Sequence, residues 1–165
     1  MNQQFTQTIR TVEIAILTPN GVLMQMKRVD NNHYSMWGAE IDSNENDTEA
    51  AVNILKRDAG LTTTADALKH VNIYTSISKD ENGNLIKKEI HRFILEFDHL
   101  PVLKIEPKLR GWIVIASEKS AVNVIEAHQS FIATIIEDLF SPTSSHFNNH
   151  HFNEQVLEKL LKCPR

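Results

Sequence analysis

Two spacings of apolar residues organise this chain, alternation suited to strands and the three-to-four residue spacing of helices. Val12 to Leu17 and Val22 to Met26 are apolar runs joined by Thr18-Pro19-Asn20-Gly21, which predicts a β-hairpin. After a polar loop around Asp30, the segment Tyr34 to Ile41 carries aromatic and apolar residues. Asn46 followed by Glu49 has the spacing of a helix cap, and Gly60 supplies a stop. Between them Ala51, Val52, Leu55 and Ala59 form one stripe, the face such a helix turns toward a sheet.

The second half reads as strands followed by helices. Val71 to Ser78 and Leu85 to Phe97 flank the polar turn Asp80-Glu81-Asn82-Gly83-Asn84, which predicts a long hairpin. Gly111 to Ala116 reads as a buried strand. Ser117 is placed to cap a helical region running to Phe140, with Phe131, Ile132, Ile135, Ile136 and Leu139 at helical spacing. Ser141-Pro142 breaks it, and residues 141–165 read as a polar loop and a short helix carrying Val156, Leu157, Leu160 and Leu161. Strands before a helix, more strands, then terminal helices imply an α/β fold with a mixed sheet between helices.

Composition narrows the function classes. A length of 165 residues suits one domain, expected here to span residues 1–165. A net charge of -4 argues against a protein that lives on nucleic-acid phosphates, and no apolar stretch approaches a membrane span. The single cysteine, Cys163, excludes an internal disulfide and any Cys-based zinc cluster, which fits a reducing cytoplasm.

The segment from Tyr34 to Leu61, YSMWGAEIDSNENDTEAAVNILKRDAGL, resembles the Nudix box and its lead-in without a gap. That family's pattern is Gly, five residues, Glu, seven residues, then Arg-Glu-hydrophobic-any-Glu-Glu-any-Gly-hydrophobic. Glu45, Leu55, Gly60 and Leu61 match it, and Asp58 is a conservative replacement. Ala39 stands at the first glycine, Asn53 at the arginine, and Ile54 and Arg57 at two glutamates. Lys27-Arg28 at the end of the first hairpin, and Glu106 followed by Trp112, also look like the family, so the resemblance covers roughly residues 10–140.

The resemblance implies a Nudix-type α/β/α sandwich whose scaffold is kept and whose metal site is largely replaced. Relatives cleave a diphosphate linked to another group, and Mg²⁺ neutralises the oxygens of that transition state. Positions 54, 57 and 58 stand at i, i+3 and i+4, so one helical face would offer three carboxylates. Here it offers Ile54, Arg57 and Asp58, which together carry no net charge. Little attraction for a divalent ion remains, so the expected cofactor is none or weakly bound Mg²⁺.

Three functional readings follow. The first is a binder or sensor of a nucleotide-like or phosphorylated small molecule, with weak or absent hydrolase activity and with Arg28, Tyr34, Trp37, Ile54 and Arg57 as candidate ligand contacts. The second is an active hydrolase that keeps Glu45 and Asp58 as metal ligands and Glu106 as base. Glu40, Asp42 and Glu49 nearby could then serve a displaced ion. The third is an interaction module, a homodimer pairing through the terminal helices. His91 and His128 read as ordinary surface or half-buried residues. The tract with His146, His150 and His151 reads as a polar surface loop.

Overall fold

The computed structural model describes residues 5–27, 33–105, 110–116 and 123–139. The first hairpin joins β1 (Gln7–Thr18) to β2 (Gly21–Lys27), and β3 (Tyr34–Ser35) and β4 (Trp37–Ile41) follow. Helix α1 (Asp47–Ala59) leads to β5 (Leu68–Lys79) and β6 (Leu85–Glu96), and β7 (Arg110–Ile115) and α2 (Glu126–Leu139) come last. All seven strands belong to one sheet, in which β1 and β6 run parallel and the remaining pairs antiparallel.

Strand β1 is the spine. Its residues Arg10 to Ile14 pair with β4, while Ile16 to Thr18 pair with β2, so the sheet forks along its length. At the fork the Gln25 side chain donates to the Met36 carbonyl at 3.0 Å. Alternation along β1 sends Val12, Ile14 and Ile16 to one side, where Trp37, Ala51, Ile54 and Leu55 bury them. Ala15 and Leu17 face the other side and meet Phe131, Ile132 and Ile135 of α2. The result is a mixed sheet between two helices.

The ends of α1 are set by local chemistry. Asn46 Oδ1 accepts the Glu49 N–H at 3.0 Å, and acids in the first turn and bases in the last complement the helix dipole. Gly60 closes the helix at φ 66°, and Leu61 N–H returns to the Leu55 carbonyl at 3.2 Å. A side chain at Gly60 would also run into Lys104, with its Cβ 2.7 Å from the Lys104 carbonyl oxygen.

The expected cap at Ser117 lies outside the described residues, and the helical run expected after it is broken at Val124. Val124 instead bridges to Tyr34 in parallel fashion, and Ile125 N–H donates to the Tyr34 carbonyl at 2.9 Å. Pairing with β3 holds this stretch extended, so the helix begins only at Glu126. Phe140 and the 141–165 tail lie outside the described residues. Among the described residues no helix is long and apolar enough to cross a membrane.

Candidate functional site

A cleft of about 280 Å³ opens beside the fork of β1. Its polar wall includes Thr11, Glu13, Gln25, Ser35, Glu40 and His128, with Gly38 and Ala39 at its β4 side. Gly38 keeps that side close to β1, because a side chain there would collide with the Val12 carbonyl. The volume is near the lower edge of the range for small-molecule sites.

One ionic cluster lines this cleft and a second connects to it through Gln25. On the α2 side, Glu13 and His128 are each only 4% exposed, and Glu13 Oε2 meets His128 Nε2 in a hydrogen bond. Met36 N–H donates to the other ring nitrogen, Nδ1, at 3.1 Å. That nitrogen must therefore be unprotonated, and the neutral ring carries its proton on Nε2, facing the carboxylate. Arg92 balances the charge with Nε 3.6 Å from Glu13 Oε1, while its guanidinium lies 4.7 Å over the Phe131 ring.

On the α1 side, Asp58 is 4% exposed and accepts from Arg57 Nε at 2.8 Å and Nη2 at 3.1 Å. Arg110 Nη2 lies 3.1 Å from Asp58 Oδ1, and its Nη1 donates to Gln25 Oε1 at 2.8 Å. A continuous polar chain thus runs from Gln25 in the cleft wall through Arg110 and Asp58 to Arg57 at the surface. The hydrogen bond to Asp58 holds the Arg57 pKa above its usual value against partial burial, and Glu45 adds to that effect.

The candidates named from sequence are distributed unevenly. Arg57 and Asp58 join this polar chain. Ile54 is buried in the core beneath α1, so positions 54, 57 and 58 do not form one solvent-facing surface. Trp37 is fully buried and donates its indole N–H to the Leu23 carbonyl at 3.1 Å, which makes it a core residue. Tyr34 is half-buried against the α2-side core. Glu45 is exposed, with Oε1 accepting the Asp42 N–H at 3.1 Å. Arg28 and Glu106 lie outside the described residues.

The donor set at positions 54, 57 and 58 of α1 does not fit a Mg²⁺ ion. Magnesium needs several oxygen donors free to face it, whereas Ile54 offers none, Arg57 is a cation, and Asp58 is engaged by two guanidiniums. His91 and His128, expected at or near the surface, are buried beside carboxylates. A lone Glu13 within the apolar run from Val12 to Leu17 was the sequence signal for the buried cluster, since an inward charge in a strand needs a partner. Nothing local marked Gln25 or Arg110.

No family model matches the chain, and a comparison with curated proteins returns no relative. The fold itself has close counterparts. A MutT/nudix family protein from Enterococcus faecalis superposes with a TM-score of 0.53 at 14% identity, over 69% of this chain and 46% of that one. The E. coli dihydroneopterin triphosphate pyrophosphohydrolase gives a TM-score of 0.59 at 14% identity, over 78% and 92%. A bifunctional NMN adenylyltransferase/ADP ribose pyrophosphatase from Francisella tularensis, complexed with AMP and a Mn ion, gives 0.56 at 15% identity, over 80% and 42%. This chain therefore spans less than half the length of the first and third. Its fold is that of the Nudix hydrolases.

Proposed function

We propose that this protein is a Nudix-fold binder of a phosphorylated, nucleotide-like small molecule, with weak or absent metal-dependent hydrolysis. One observation carries the reading. Asp58, the carboxylate at a family metal position, is engaged by both Arg57 and Arg110 while almost fully buried. A divalent ion there would have to displace two guanidiniums and desolvate an already compensated charge. The same two cations favour a phosphate approaching from the surface, because guanidinium forks match its oxygens. The cleft beside Gln25 would hold the remainder of the ligand.

An active hydrolase is the second reading. It is favoured by Glu13 and Glu40 in the cleft wall, by exposed Glu45, and by the phosphohydrolases that share the fold. Glu106 as base belongs to this reading as well. Incubation with a panel of diphosphate-linked compounds and Mg²⁺ or Mn²⁺ separates the two. The binding reading expects no turnover above buffer, together with a raised melting temperature for the ligand, because binding to the native state alone stabilises it. Turnover that disappears in Glu45→Gln and Asp58→Asn would establish the hydrolase instead.

A further inference from the structure

Three side chains from separate elements converge where α1 meets the β5–β6 hairpin. Asp47 opens α1, His70 lies near the start of β5, and His91 sits in the middle of β6. His70 stands opposite Phe93 in the ladder, and Phe93 is two residues from His91. Residues so related share a face of the sheet. The two imidazoles accordingly meet edge to face with centroids 6.3 Å apart. One donor atom from each of Asp47, His70 and His91 lies within 4.8 Å of the other two.

Each donor is braced by a contact outside the cluster, while two of the converging atoms, Asp47 Oδ2 and His91 Nδ1, share a hydrogen bond that an ion would replace. Asp47 Oδ1 accepts the Thr48 N–H at 2.7 Å, while Oδ2 lies 2.8 Å from His91 Nδ1 and 4.0 Å from His70 Nε2. On the far side of the His91 ring, buried Nε2 makes no hydrogen bond and faces Glu89 Oε2 at 3.5 Å. Lys87 in turn steadies Glu89 at 3.0 Å. A carboxylate behind the non-ligating nitrogen is the usual support of a metal-binding histidine. His70 is braced edge to face on Phe93 at 5.1 Å, yet its side chain is 42% exposed, which leaves an entry path.

We propose that Asp47, His70 and His91 bind a divalent transition-metal ion of the Zn²⁺ class. Two imidazoles and one carboxylate suit that class, whereas Mg²⁺ prefers oxygen donors throughout. Donors around a tetrahedral Zn²⁺ stand roughly 3.3 Å apart. The 2.8 Å contact opens and the 4.0 Å contact closes to reach that spacing, each by less than about 1 Å, and the two imidazole donors, within 4.8 Å of each other, close by at most about 1.5 Å. The fourth position faces solvent beside His70 and takes water or an incoming ligand. The site is separate from the Asp58–Arg110 cluster and does not depend on the reading of the cleft.

Titration of the full chain with Co²⁺, a visible-absorbing substitute for Zn²⁺, tests the site. The expected result is one ion bound per chain, with affinity lowered at least about tenfold in His70→Ala and in Asp47→Asn, the loss that even outer-shell changes bring. His70 is exposed, so its variant keeps the fold, which circular dichroism checks. Zn²⁺ should raise the melting temperature of the parent protein and not of these variants. Binding should persist in Asp58→Asn and in a His146→Asn/His150→Asn/His151→Asn variant. Absence of Co²⁺ uptake, undiminished uptake by His70→Ala, or uptake lost in the triple variant overturns the proposal.

Discussion

Arg110 on β7 reaches Asp58 near the end of α1, with Nη2 3.1 Å from Oδ1, while its other terminal nitrogen bonds Gln25 on β2 at 2.8 Å. One guanidinium therefore joins the helix that carries the box-like segment to the wall of the cleft. Asp58 is neutralised from two sides. This arrangement explains how a carboxylate only 4% exposed is tolerated.

Arg110→Met should destabilise the protein by about 1–3 kcal/mol, because it removes a charged partner from buried Asp58 and the donor from Gln25. Arg57→Ala should cost less than about 1 kcal/mol, since the Arg57 side chain is 63% exposed and solvent screens the pair. Urea unfolding midpoints of both variants would show the order. Equal losses would mean that Arg110 is not the principal partner.

The buried pair of Glu13 and Arg92 should couple strongly. Glu13→Gln removes a negative partner from a guanidinium at 0% exposure, at a cost of about 3–5 kcal/mol. Adding Arg92→Met to that variant should recover part of the loss, because the second change removes the buried charge that Glu13 helped to balance. Strictly additive losses in a double-mutant cycle would refute the coupling.

Restoring acids at the box positions should not simply restore a metal site. From sequence, Ile54→Glu with Arg57→Glu is the natural way to create divalent affinity. In the structure Ile54 is 5% exposed among Val12, Ile14 and Trp37, so Ile54→Glu buries a carboxylate and forfeits apolar packing. A loss of about 3 kcal/mol or more is expected. Wild-type stability in the double variant, with Mg²⁺ binding detected by calorimetry, would contradict this placement.

Acid sensitivity should trace in part to the β5–β6 turn. Asp80 accepts from the Asn84 side chain and from the backbone N–H groups of Asn84 and Asn82, and these bonds hold its pKa below the ordinary aspartate value. A carboxyl whose folded pKa is depressed stabilises the fold above the unfolded value and loses that contribution as pH falls through the folded value. Asp80→Ala should therefore melt lower at neutral pH, with its curve converging on the parent's in acid. A constant offset across all pH values would rule out the linkage.

Much of the fold was legible because it depends on short-range chemistry. The Asn46 cap, the Gly60 stop and the polar turn at Asp80 act within a few residues, and each stands where its spacing implied. The start of α2 was not legible, since the pull on Val124 comes from distant Tyr34. Trp37 illustrates the same limit. An aromatic residue beside a box-like motif could equally line a ligand site or fill the core, and only the Leu23 carbonyl above its indole N–H decides.

The site follows the same division. Residue identities alone determined that the α1 positions 54, 57 and 58 carry no cluster of acids, because net charge is a property of composition. Partnership is a property of space, and it was decided by packing: Glu13 meets His128 across 115 positions, and Asp47 meets His91 across 44. Sheet pairing and helix docking bring those groups together, and burial then makes their charges depend on one another.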